Sequence, residues 1–197
     1  MQTSLIETGV AAPANAGSYR TIYADPPWLE RGGGQIKRGA DRHYALLSTV
    51  AICELPVWQW AAKDAHLYLW VTNNFLPDGL TVMRSWGFRY VTKVTWFKER
   101  DGKPQIGLGQ YYRGVTEDCL FGVRGSLPYR ETLEGKRAQG LTGIFAPRGE
   151  HSVKPEAMRA TIESVSHGPY LELFARRPAP GWTVWGNEVT DDKARNK

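Results

Sequence analysis

Strands that alternate with helices along a 197-residue chain predict a three-layer α/β fold with a mostly parallel central sheet. Three observations carry this expectation. His66-Leu67-Tyr68-Leu69-Trp70-Val71 is a continuous apolar run of strand length, the pattern of a strand buried on both faces. Further β-rich runs lie at 19–24, 88–98, 119–123, 170–175 and 182–185. Between them sit segments with helix start and stop signals.

Taken in order, residues 1–18 are small, polar and rich in Ala, Gly and Pro, and read as a flexible arm. Tyr19-Arg20-Thr21-Ile22-Tyr23-Ala24 is a strand that enters a turn at Asp25-Pro26-Pro27-Trp28. A glycine-rich basic loop follows, from Glu30 to His43. Ser48 is placed to cap a short helix that Pro56 interrupts, with a further turn through Trp60. Pro77 to Trp86 reads as a helix that Gly87 ends. The stretch from Gly125 to Glu150 is long, basic and irregular. The last helix opens at Pro155, a favoured first helical position, and runs to near Gly168. The residues from 190 to 197 are charged and read as a flexible tail.

Composition bounds the function. A chain of this length is one domain by its size, and it can bury roughly 70% of its unfolded surface without staples. Its 42% hydrophobic and 23% charged residues are ordinary for a globular protein. No run of 18 apolar residues is present, and the first residues lack a secretory pattern. Two cysteines, Cys53 and Cys119, make neither a disulfide framework nor a zinc spacing, and the four histidines pair into no ligand motif. The expectation is a cytoplasmic protein without a bound metal. A net charge of +5 and eight Trp are compatible with a polyanion partner whose bases stack on aromatic rings, and equally with a basic enzyme that has a Trp-rich core.

Asp25-Pro26-Pro27-Trp28 stands out. With Asp and Pro each near 5% and Trp near 1% of residues, chance yields this string in roughly a few chains per ten thousand. It follows a strand, and open α/β sheets bind ligands at the C-terminal ends of their strands. A carboxylate and a rigid carbonyl suit an amine whose lone pair must be freed, such as adenine N6. Asp25 and the Pro26 carbonyl would accept its two N–H bonds, with the prolines fixing the backbone. Trp28 offers a flat face for the base, and such stacking is worth about 1–3 kcal/mol. The competing reading is a strand-ending turn with a solvated Asp and a core Trp.

The series of segments in which this motif stands resembles the adenine-N6 methyltransferase family of the eukaryotic messenger-RNA adenine methyltransferase catalytic subunit and its phage and bacterial relatives. The resemblance runs from 19 to 189, which would be the methyltransferase domain. After the signature come Leu69-Trp70-Val71-Thr72-Asn73, Trp86-Gly87-Phe88 and Trp96-Phe97-Lys98. Glu117 to Gly125, His151 to Glu156, Glu172 to Arg176 and Trp185 to Glu188 complete the order. The family implies a permuted Rossmann-like methyltransferase fold and S-adenosylmethionine as methyl donor. In such a fold the signature strand precedes the cofactor strand, here Glu172-Leu173-Phe174-Ala175-Arg176. No GxG turn follows Phe174, so cofactor contacts there must come partly from side chains.

By this resemblance Lys154 meets the cofactor's carboxylate. A lysine beside a helix N-terminus is disfavoured by about 0.3–1 kcal/mol, a conflict that an anion would relieve. Arg176, Asn187 and Glu188 match cofactor-contacting positions, as does Asp25. Glu117 lies near the active site, and Tyr44, Tyr111 and Tyr112 match aromatic positions flanking the substrate pocket. Core packing competes for both of the adjacent tyrosines. Lys37, Arg38, Arg42, Arg113, Lys136, Arg137 and Arg148 fall in loops expected at the active edge, where they would contact phosphates.

The expected function is adenine-N6 methylation of a nucleic acid, with the base flipped from a duplex or taken from a single strand. DNA is preferred over RNA because the chain carries no RNA-recognition module or zinc finger, by analogy with compact phage and bacterial members. An RNA methyltransferase is the alternative. A catalytically silent nucleic-acid-binding scaffold of the same fold is a further reading, but such members lose the Asp or the Trp, and this chain keeps both.

Overall fold

A computed structural model of the chain describes residues 12–29, 46–109, 111–126, 129–149 and 153–186. The strands are β1 (Tyr19–Ala24), β2 (Ala61–Val71), β3 (Arg89–Arg100), β4 (Lys103–Pro104), β5 (Thr116–Arg124), β6 (Gly143–Ala146), β7 (Tyr170–Leu173) and β8 (Trp182–Trp185). The helices are α1 (Thr49–Cys53), α2 (Val57–Trp60), α3 (Leu76–Ser85) and α4 (Glu156–Val165). The strands form one mixed sheet in the order β4-β3-β5-β2-β1-β7-β8, with β6 also paired to β3. Its centre is parallel, β2 and β7 flanking β1 and β8 extending β7. β5 runs against both β2 and β3.

Two cores make this a three-layer α/β protein. Alternate strand residues face opposite sides. Ile22, Ala24, Leu67, Leu69, Leu120, Leu171 and Leu173 pack with Ile52, Val57, Val82 and Met83 of α1 to α3. Tyr23, Tyr68, Trp70, Trp96 and Cys119 face the other way, against Met158 and Ile162 of α4. The first strand in sequence lies beside β7, which comes near the chain's end. This is the permuted order of the Rossmann-like methyltransferase fold.

Local signals explain the boundaries. The Ser48 side chain accepts a hydrogen bond from the Ala51 N–H at 3.1 Å and so caps α1. Gly87 follows α3 at φ +82°, where a side chain would be strained. The structure also corrects the sequence reading. Residues 14–17 form a turn, Gly17 N–H donates to the Trp60 carbonyl at 2.9 Å, and the Tyr19 hydroxyl donates to the Ala14 carbonyl. The expected loose arm is therefore tied to α2 from residue 14 onward. The long stretch after Gly125 contains β6, which pairs in parallel with β3 and closes the sheet edge. Among the described residues no helix is long and apolar enough to cross a membrane.

Candidate active site

Asp25 leaves the C-terminal end of β1, at the sheet edge where α/β folds collect ligands. Its Oδ1 lies 2.9 Å from Nζ of Lys154, which stands just before α4. The same ammonium is 3.3 Å from Glu117, at the start of β5, and 5.4 Å from the centre of the Trp70 ring. Glu117 in turn is held by Lys98 of β3 at 2.5 Å, and Lys98 lies over Trp96. The result is a row of alternating charges, Asp25, Lys154, Glu117, Lys98, floored by two tryptophans.

Burial alone would lower the Lys154 pKa, but the Asp25 and Glu117 carboxylates outweigh it and raise the value above the ordinary one. Burial pushes Glu117 up, and the two lysines overcome that and hold it below the usual carboxylate range. Lys154 and Glu117 therefore stay charged at neutral pH. Asp25, Lys154 and Glu117, far apart in sequence, are brought together as expected. Lys154 differs from expectation in its partners: its charge is already met by two carboxylates, so any further anion would join an existing network.

The Pro26 carbonyl accepts the Trp28 N–H at 2.9 Å, and the Pro27 carbonyl accepts the Leu47 N–H at 2.8 Å. A carbonyl has two lone pairs, so Pro26 keeps one for a ligand. Trp28 departs from the expected open platform. It is 8% exposed, its ring stacks on Phe75 at 5.3 Å, and its Nε1–H donates to the Trp70 carbonyl at 3.1 Å. Trp28 packs the turn against the core; it does not present a free face to a base.

Beside the charged row lies a cavity of about 490 Å³ lined by Asp25, Lys154, Glu156, Arg159, Glu172, Phe174 and Arg176 among others. Arg159 grips Glu172 with two nitrogens at 3.0 Å and reaches Glu156 at 3.0 Å. Burial raises the Glu172 pKa against the pull of Arg159. Phe174, at the end of β7, sits at φ +61°, and Gly186 packs so closely on the Ala175 backbone that a Cβ would lie 2.8 Å from its carbonyl oxygen. The lining fits S-adenosylmethionine: carboxylates suit its ammonium and sulfonium, and Arg176 and Lys154 suit its carboxylate or hydroxyls. The volume falls in the usual 300–1,000 Å³ range for such ligands.

The remaining expected residues divide. Tyr111 and Tyr112 are almost fully exposed, so core packing is excluded for both, and nothing brings them to the charged row. Arg113 folds back on its own loop, its Nε donating to the Gly107 carbonyl at 2.7 Å. Lys136 pairs with Glu134, and Arg137 lies over Tyr129. The Arg148 N–H donates to Gln105, and its side chain is exposed. Lys37, Arg38, Arg42, Tyr44, Asn187 and Glu188 lie outside the described residues. Lys98, Arg159 and Glu172 were not picked out as site residues. Lys98 and Glu172 stood inside quoted segments, but nothing in their neighbours in sequence reveals their partners.

A model of the MT-A70 family matches residues 19–188. The chain is 30% identical over 194 residues to the Type II methyltransferase M.MunI of Mycoplasma sp, covering 89% of this chain and 79% of that protein. It is 30% identical to the N(6)-adenine-specific methyltransferase METTL4 of Homo sapiens, covering 87% of this chain and 38% of that one. It is 28% identical to the N6-methyladenosine RNA methyltransferase MTA1 of Cryphonectria parasitica, covering 89% and 53%. The chain thus spans most of M.MunI but only about half or less of the other two.

Proposed function

The chain belongs to the MT-A70 family of S-adenosylmethionine-dependent adenine-N6 methyltransferases, and from that premise we propose that it methylates adenine in DNA. The carrying observation for the chemistry is Asp25, fixed by Lys154 at the end of β1 beside the Pro26 carbonyl. Lys154 occupies Oδ1, and Oδ2 remains as an acceptor for one N6–H. The second lone pair of the Pro26 carbonyl accepts the other. Two acceptors pull the amine's hydrogens into place and turn its lone pair outward, which counters delocalisation into the ring. Glu172, Phe174 and Arg176 of the adjoining cavity would hold S-adenosylmethionine, which would supply an electrophilic methyl group. Lys154 holds Asp25 stationary, and Glu117, itself held by Lys98, holds Lys154 from behind. Positioning of this kind is a large part of catalysis when no covalent intermediate is needed.

The choice of DNA rests on likeness: the chain covers 79% of the Type II methyltransferase M.MunI, against 53% of the RNA methyltransferase MTA1. RNA is the second reading, favoured by the likeness to MTA1. Incubation with single-stranded DNA, duplex DNA and RNA, then digestion and mass spectrometry of the nucleosides, separates them. N6-methyldeoxyadenosine supports the proposal; N6-methyladenosine alone would overturn the choice of polymer.

A further inference from the structure

We propose that Phe97 and Phe145 form a base-stacking ledge for a single strand flanking the target adenine, an inference that rests on nucleic acid being the substrate. Phe97 on β3 and Phe145 on β6 stand directly opposite each other in parallel register. Their rings stack at 4.9 Å with 14° between planes. Their neighbours Trp96 and Ile144 turn inward to the α4 core, while these two face away from it. Phe97 is 39% exposed and Phe145 66%. Exposing two large apolar rings forgoes the burial that normally stabilises them. Scattered exposed apolar residues are common, but a stacked pair of rings leaves the outer face of the more exposed one, Phe145, for a further ring to stack on. Gly143, two residues before Phe145 on the same face, leaves the side of the Phe97 ring open: a Cβ there would sit 3.6 Å from it.

Position supplies the occupant. β3 runs parallel to β1, since β5 opposes both β3 and β2. The ledge therefore lies at the same C-terminal edge as Asp25, on the opposite face of the sheet, so a strand joining the two would cross that edge. In register, Ala24, Leu69, Leu120 and Lys93 stand at one level, and Phe97 lies four residues beyond it and three strands across. That separates the ledge from Asp25 by on the order of 15–20 Å, a span of a few nucleotides. Charge around it is complementary to a backbone: residues 99–116 carry Arg100, Lys103 and Arg113 against Glu99 and Asp101. Arg148, exposed three residues past Phe145, adds another cation. Aromatic faces among cations are how single strands are held without sequence preference.

The test uses fluorescent single-stranded DNA with one target adenine and an abasic site placed at each flanking position in turn. Wild-type protein should lose about 5- to 100-fold in affinity when the abasic site falls opposite the ledge. Phe145→Ala and Phe97→Ala should bind intact strand weaker by a similar factor and show no further loss on the abasic strand, while Phe145→Trp should behave as wild type. Melting temperature and binding of S-adenosylhomocysteine should not change. An alanine variant that binds intact strand like wild type, or that keeps the full abasic penalty, overturns the ledge. So does wild-type binding that is indifferent to every abasic position. Ledge-dependent binding without methyl transfer to any nucleic acid would refute the proposed activity and leave the ledge standing.

Discussion

Replacing Lys154 by methionine leaves two carboxylates without the ammonium that lies between them. Asp25 is 24% exposed and Glu117 16%, so neither is well solvated. Breaking a buried pair by removing one partner costs about 3–5 kcal/mol. Lys98 remains at 2.5 Å from Glu117 and limits the damage there, which places the expected loss near 3 kcal/mol. For a chain of this size that is a fall in melting temperature of about 6–12 °C. The pH dependence follows from the signs. The Glu117 pKa is depressed in the fold, so its contribution is present above its unfolded value and is lost as pH falls through the folded one. The Lys154 pKa is raised, so its contribution is full below its unfolded value and is lost as pH rises through the folded one. The gap between wild type and Lys154→Met is thus widest near neutral pH and narrows in acid, where Glu117 takes up a proton. Urea unfolding at pH 7.5 and pH 3.5 measures it. Adding Asp25→Asn to Lys154→Met should restore part of the stability without restoring methyl transfer. A variant as stable as wild type at pH 7.5, or a gap that stays constant into acid, refutes the charged row as described.

Three further outcomes are expected. Asp25→Asn should stay folded and bind S-adenosylhomocysteine while the rate of methyl transfer drops about 10²–10³-fold; a rate within twofold of wild type rejects the acceptor role. Trp28→Ala should destabilise the protein by about 3–5 kcal/mol in denaturant unfolding, because its ring is packed on Phe75; a wild-type midpoint with weakened substrate binding would instead make it an open platform. Burial, then His167 and Arg20, lower the His66 pKa to about 4. The unfolded state binds the proton more readily, so stability falls as pH drops from about 6.5 to 4, by up to about 3 kcal/mol. His66→Gln should flatten that limb of a melting-temperature profile, and an unchanged slope would assign the acid sensitivity elsewhere.

Legibility in the sequence followed how local the cause was. β1, α1 with its Ser48 cap, α3 with Gly87 and α4 after Pro155 rest on periodicity and end signals within a few residues, and they stand where the sequence placed them. β6 escaped notice because four residues inside a polar loop become a strand only by pairing with β3. Pairing also settled the direction of β5, since an apolar run is the same read either way.

The site divides in the same manner. The sequence by itself determined the four-residue turn after β1, the chemistry its carboxylate and prolines can perform, and the family whose ordered segments surround it. Tertiary structure decided what that turn touches. Lys154 stands 129 positions from Asp25, and only the parallel seating of β7 beside β1 brings α4's entrance to it. Trp28 has the composition of a stacking surface, yet Phe75, 47 residues on, takes its face. A side chain's chemistry is intrinsic to the residue, whereas its partner, its burial and hence its charge state are set by contacts between distant parts of the chain. Asp25 was identifiable from its neighbours in sequence, but the ion pair that holds it came from the fold.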